Sequence, residues 1–259
     1  DRAVPSNNII SEGKGDDVAL FTVNAASHVH ISVSEQEAVQ AVNVLNGFAG
    51  AQIALMADSG IWKGKVDPEY VCIAEKFWDW WEPSHARSGI PELPFSDIHD
   101  YIHRIMDFKP IYIKRMGKPF IPKGYDSFRD FYSQECAHTV DLEDLPVEVI
   151  PGPKDIDLHN SCYWYTARIS RYYTVENRAC DQQPPDDFIT PAALTLGLVS
   201  ALDEAWEELS GYEWNTLREF REAACRQGLA GRAKGKPVST LVKRMLEIAE
   251  SGLQRRSKG

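Results

Sequence analysis

No run in this sequence approaches the roughly 20 apolar residues that a membrane-crossing helix requires, so no spanning segment is expected. No two cysteines form a Cys-x-x-Cys pair. The five (Cys72, Cys136, Cys162, Cys180 and Cys225) are odd in number and scattered. That pattern excludes a disulfide framework and a structural zinc site, and points to buried, inert thiols in a cytoplasmic protein. Positive charge is also scarce: 28 Lys and Arg stand against 38 Asp and Glu, a net charge of −10. No global field therefore attracts nucleic acid or an anionic membrane, and neither is an expected partner. An anionic substrate must be met by a local basic cluster. Residues 1–8 have neither a basic end nor an apolar stretch, so no signal peptide is expected.

What is present is ordinary globular composition. The 259 residues, 43% apolar and 25% charged, suffice for one large or two small domains with a substantial core. Residues 1–17 are polar and read as a linker. Residues 18–33 have strand character, with Val29, Ile31 and Val33 alternating against His28, His30 and Ser32. Ser34 followed by Glu37 has capping-box spacing and should open a helix running to about residue 56. Residues 58–94 mix Gly, Pro and Trp and read as a long loop. Ser96 is a candidate cap for a helix to about residue 108. A hairpin is expected around Gly117, a short helix from Ser127, and another loop over 140–160. Residues 163–180 read as one or two strands. Helices are expected over 190–209, 215–228 and 239–249, the first with Pro191 at its start. The pattern is α+β, a few strands covered by helices. So small an open sheet suggests that a partner segment completes it.

Two strands carry chemistry. In Ser27-His28-Val29-His30-Ile31-Ser32 the imidazoles sit two apart and share a face, about 7 Å from each other. One could ligate a cation while the other donates to a phosphate oxygen; a wet sheet face is the simpler reading of that strand alone. In Val175-Glu176-Asn177-Arg178 the carboxylate and guanidinium likewise share a face. Arg168, Arg171 and Arg178 lie within eleven residues and supply the local positive field. A salt-bridge ladder would explain this second strand by itself. Together, histidine and glutamate for a cation and arginines for phosphoryl oxygens make a phosphoryl-transfer set. A Mg²⁺ ion takes about six ligands, so phosphates, water and other carboxylates must complete it; Glu12, Asp16 and Asp17 are weak candidates.

At these residues the chain resembles the glutamate–cysteine ligase superfamily, especially its plant and proteobacterial group and the related bacterial carboxylate–amine ligases. Val29 to Val33 with the two histidines is similar to that family's His-Val-His strand. Val175-Glu176-Asn177-Arg178 with Cys180-Asp181 resembles its Leu-Glu-x-Arg-x-x-Asp strand. Ala54 to Ser59 with Gly64, the stretch from Gly117 to Phe131, and Gly252 to Arg256 resemble further family segments in the same order. The resemblance implies part of a glutamine synthetase-like antiparallel sheet covered by helices, with residues 18–259 forming the C-terminal half of a ligase domain. It implies ATP as co-substrate and Mg²⁺ or Mn²⁺ as the ion. His28 and Glu176 would bind metal, and His30 and Arg178 would lie near the nucleotide phosphates. Arg178, Arg168 and Arg171 would act on phosphate and substrate. The implied reaction joins a glutamate-like acid to an amine through an acyl phosphate.

Three departures accompany the resemblance. The family's N-terminal half with its Glu-x-Glu ligands is absent: it is a separate polypeptide, or was removed, or was lost, and the first of these makes a partner chain carrying it an expected partner. Ala74, with Lys76 nearby, stands where the family has a substrate-region arginine. Asp58 and Gly60 replace Asn and Pro. These changes leave the acid and the amine open, and a non-catalytic binding or regulatory homologue is the alternative. Elsewhere, Trp78, Trp80 and Trp81 could stack on adenine, but a satellite core is the simpler reading. His85, His99, His103, His138 and His159 are scattered. Lys114, Arg115, Lys118 and Lys123 make a solvated basic hairpin, and Tyr172 and Tyr173 should pack in the sheet.

Overall fold

The alternation expected around the paired histidines builds strand β1 (Ala26–Ile31). The computed structural model describes residues 25–62, 64–81 and 87–257. The linker of residues 1–17 with Glu12, Asp16 and Asp17, the first part of the strand expected over 18–33, His85, and the side chains of Trp80 and Trp81 lie outside what is described. Contacts divide the chain into two units, Ala25–Ser96 with Trp164–Gly259, and Asp97–Tyr163.

In the first unit, Ser34 and Glu37 form the expected capping box. The serine hydroxyl accepts from the Glu37 amide at 3.3 Å, and the Glu37 carboxylate accepts from the Ser34 amide at 2.9 Å. They start helix α1 (Glu35–Gly47). The single helix expected to residue 56 instead bends by 52° at Phe48 into α2 (Ala49–Met56). Packing accounts for the break. A Cβ on Gly47 would stand 2.6 Å from the Leu209 side chain, and one on Gly50 would stand 2.8 Å from the Arg221 amide nitrogen. The glycines admit neighbouring helices and weaken the helix where it turns. No single described helix is long and apolar enough to cross a membrane; the bent pair is so only together, and both members are largely buried in the fold.

The expected loop over 58–94 contains a helix, α3 (Ile73–Trp81). Ile73, Ala74 and Phe77 are buried, and so are Glu75 and Asp79 at helical spacing. Flanking Gly and Pro hid a short element whose acidic residues face a partner far along the chain.

The second unit contains α4 (Ile98–Met106), capped by Asp97 rather than Ser96. It continues with β2 (Ile113–Arg115), β3 (Lys118–Pro122), α5 (Phe128–Tyr132), β4 (Ala137–Val140), β5 (Pro146–Val149) and α6 (Pro153–His159). Its strands form an antiparallel meander in the order β2-β3-β4-β5 over Ile113, Phe128, Phe131, Ala137 and Val149. The Gly117 hairpin and the Ser127 cap are as expected. The expected loop over 140–160 instead holds β5 and α6, because Pro153 opens a helix that Asp155 caps through the Gly152 amide. Arg115 is no solvated charge: its fork closes on the buried Asp155 carboxylate at 2.6 and 2.8 Å. His159 stacks on Phe128 at 4.0 Å and bonds the Ile105 carbonyl at 2.8 Å.

Returning to the first unit, residues 163–180 give β6 (Ala167–Ile169) and β7 (Val175–Asp181). Both Tyr172 and Tyr173 sit in the turn between them rather than packing in the sheet, and Tyr173 is 85% exposed with φ 58°. Helices α7 (Thr190–Val199), α8 (Leu202–Ser210), α9 (Trp214–Gln227) and α10 (Val238–Ser257) follow. The helix expected over 190–209 is thus two, parted at Ser200 and Ala201. Strand order is β1-β7-β6, antiparallel throughout, and α1, α2 and α7 pack against these strands. The buried amide of Asn46 pairs with both backbone groups of Ala167 at 2.9 Å, satisfying a strand that would otherwise bury unpaired polar groups. Asn177 reaches Gln52 of α2 at 2.6 Å and Thr195 of α7 at 2.8 Å. The α+β class and a small antiparallel sheet with helices against it are therefore observed.

Candidate active site

Period-two geometry sends Val175 and Asn177 of β7 toward the helices and Glu176 and Arg178 to the opposite face. Register does the rest: His30 of β1 and Arg168 of β6 both stand directly opposite Glu176. The ladder then slips, because Ser27 pairs with Cys180 whereas Val29 pairs with Asn177. Arg178 and Ala179 thus face the single residue His28, a β-bulge that re-aims the side chains beside it.

Glu176, 5% exposed, is the hub. Its Oε2 accepts from Arg168 Nε at 2.8 Å and its Oε1 from Arg178 Nη1 at 2.8 Å. His28 Nδ1 lies 3.5 Å and His30 Nε2 3.9 Å from the same Oε1. Thr174 Oγ1 holds the other nitrogen of His30 at 2.9 Å, fixing the ring. Five of the six residues singled out in the sequence are therefore brought together. The sixth, Arg171, lies in the exposed turn with its guanidinium over the Tyr172 ring at 4.7 Å. Tyr172 in turn meets the edge of His30 at 6.4 Å, so Arg171 stands at the rim.

Trp78, read from sequence as part of a satellite core, stacks on Trp164 at 5.0 Å, and its ring also lies 5.8 Å from the Arg178 guanidinium. The other end of β7 locates α3, which carries Trp78. Asp181 Oδ2 accepts from the Asp58 amide and the Ser59 hydroxyl, both at 2.7 Å. Ser59 Oγ in turn accepts from the Ala74 amide at 3.1 Å. Glu75, one residue on, is buried among Thr166 at 3.4 Å and Arg221 at 3.2 Å. Its spacing of four from Asp79 on an acidic helix face was the available signal for this ion cluster.

Charge states follow from these neighbours. Burial would raise the Glu176 carboxyl, but Arg168 and Arg178 outweigh it and hold the pKa down at about 2. Burial, assisted by Arg178, lowers His28 to about 4 against the pull of Glu176. Near neutral pH the cluster therefore holds an ionised carboxylate and a neutral imidazole. In metal-free buffer, stability is expected to fall in two acid steps. From pH 6.5 to about 4 the unfolded chain takes up a His28 proton that the folded chain refuses. From 4.5 to about 2 the folded Glu176 resists protonation, and about 3 kcal/mol is lost as the pH passes through that window. Urea melts at stepped pH check this: His28→Ala should remove the upper step and keep the lower.

Two donors each about 2.1 Å from a shared cation stand about 3 Å apart. The His28–Glu176 separation of 3.5 Å, with both groups correctly protonated, fits that requirement. Among the described residues no set of three or more His, Cys, Asp or Glu side chains is placed to hold an ion, so these two would be a minority of its ligands. Arg178 carries no hydrogen bond on Nε or Nη2 among the described residues, leaving donors for an anion.

Residues 10–257 match the family model described as Glutamate-cysteine ligase family 2 (GCS2). No curated protein matches the chain.

Proposed function

This chain belongs to glutamate-cysteine ligase family 2, and on that premise we propose that it is an ATP-dependent carboxylate–amine ligase acting through an acyl phosphate, on a glutamine synthetase-like sheet. The observation that carries the reading is the Glu176 hub, with two imidazoles and two guanidiniums converging on one buried carboxylate. In the proposed reaction the oxygen of a glutamate-like acid attacks the γ-phosphorus of ATP, and ADP leaves. The amine nitrogen then attacks the acyl carbon, the C–O bond to phosphate breaks, and the nitrogen loses a proton as the amide forms.

Residues of this chain would position and stabilise rather than react covalently. Arg178, with its unused nitrogens, would face the transferring phosphoryl group and stabilise its charge. Arg168 would hold Glu176 ionised and oriented. His30, fixed by Thr174, would donate toward a phosphate oxygen. Arg171 at the rim would meet substrate or phosphate, and Trp78 would bound the pocket and exclude water. His28 and Glu176 would hold Mg²⁺ or Mn²⁺, which when bound draws phosphate oxygens together and neutralises their charge. We propose that a Glu-x-Glu segment outside this sequence, such as one on a partner polypeptide, supplies further carboxylates, since two donors fall short of about six.

The test is ADP release by the purified chain over a panel of amino acids, with and without such a partner. Amino-acid-dependent release in either condition is expected. The shortage of metal donors among the described residues favours a second reading, a non-catalytic binding subunit. ATP binding without ADP release in any combination would select it.

A further inference from the structure

With no residue of the Glu176 hub among them, α3, α9 and the segment around Gly89 line an open cavity of about 250 Å³. This is roughly the room of eight water molecules, enough for a small organic acid. Its wall is highly charged, and almost every charge is already answered. Arg221 bonds Asp79 at 2.8 Å and Glu75 at 3.2 Å. Glu222 bonds Lys76 at 2.7 Å and Arg226 at 2.8 Å. Gly89, at φ 66°, is what lets Arg221 fit, since a Cβ there would stand 2.9 Å from its guanidinium.

Arg218 is the exception. It lines the cavity half-buried and has no hydrogen bond or ion pair with any described residue. No carboxylate of the described residues answers its guanidinium, whose planar fork matches one. Glu219 lines the cavity beside it. One of its oxygens accepts from Asn215 at 2.8 Å, with Lys234 at 3.9 Å from that same oxygen. Its other oxygen has no partner among the described residues and can accept from an ammonium group.

We propose that this cavity is a binding site for a small carboxylate held by Arg218, with an α-amino acid preferred because Glu219 can take its ammonium. The site is separate from the Glu176 hub and stands independently of the ligase reading. Nothing in it requires ATP or metal.

Calorimetric titration of the full chain with L-glutamate and with succinate tests this. Saturable binding is expected in the wild type and in Glu176→Gln. Arg218→Ala should weaken it at least about tenfold, with partial recovery in Arg218→Lys and an unchanged Tm for both. Glu219→Gln should weaken glutamate and leave succinate unaffected if the ammonium contact holds; equal loss of both would overturn that preference. No saturable binding of either acid at millimolar concentration would overturn the site, as would undiminished binding by Arg218→Ala. Binding that vanishes in Glu176→Gln would relocate the ligand to the sheet and equally overturn it. Should Arg218→Ala fail to fold, the comparison of Arg218→Lys with Arg218→Gln decides.

Discussion

Glu176→Ala is expected to lower ATP-dependent ligation by at least about two orders of magnitude and to destabilise the fold by about 3 kcal/mol. Both effects have one origin. The wild-type carboxylate lies between Arg168 and Arg178 at 2.8 Å each. Without it, two largely buried guanidiniums face each other and no anion remains for His28 to share a cation with. Arg178 is already disfavoured as a cation by burial and by Arg168, and Glu176 is among the groups that oppose this. Glu176→Gln keeps the shape but turns an N–H toward one guanidinium, so it should lose activity nearly as fully while losing less stability. ADP release and urea melts on the same preparations separate the two effects. Wild-type turnover by Glu176→Ala would remove the basis of the ligase assignment, whatever the melts show.

Arg221→Met should be the most destabilising single change in the first unit, by about 3–5 kcal/mol, or roughly 10 °C in Tm. Methionine fills much of the volume, so the loss is electrostatic. The guanidinium is buried between Glu75 and Asp79 and also donates to the Glu75 carbonyl at 2.9 Å. Burial already pushes the Glu75 carboxyl up, and Arg221 is the first group restraining it. Without Arg221 the folded Glu75 pKa rises further above its unfolded value. The folded state then favours the protonated form, so the penalty should be large near neutral pH and shrink in mild acid. A double variant with Glu75→Gln should recover part of the loss, since Asp79 retains Lys76 at 3.4 Å. A penalty independent of pH and unrelieved by Glu75→Gln would mean that packing, not charge, is what Arg221 provides.

How much of this could be read from sequence depended on the range of each interaction. His-x-His and Glu-x-Arg are short-range patterns on strands, and period two alone fixes which residues share a face. The Ser34–Glu37 and Ser127–Asp130 boxes are equally local, and both formed. That the two strands are neighbours was not written locally and came only through the family resemblance, and their register and its bulge were legible in neither. The bend at Phe48 was missed because glycine's part there is set by Leu209 and Arg221, distant in sequence. Helix α3 was missed because its acidic residues find a cation 146 residues away. A stretch of Trp, Glu and Asp between Gly and Pro gives no hint of that partner. Trp78 packs in an aromatic cluster with Phe77 and Trp164, as the satellite-core reading expects, but its place beside Arg178 is a tertiary fact that no local pattern announces.

The slipped ladder in β7 also bears on how this strand can change over generations. Glu176 and Arg178 are two apart and share one face, and Asp181, three further on, returns to that same face because the slip pairs it with Ala26, in step with His28 and His30, so that it can anchor Ser59. An unbroken zigzag could not serve both, because an odd step would send the anchor to the wrong surface. Substitutions can therefore accumulate along this stretch while its length stays frozen: a codon lost or gained between Arg178 and Asp181 would set the Glu176–Arg178 row and the anchor against each other.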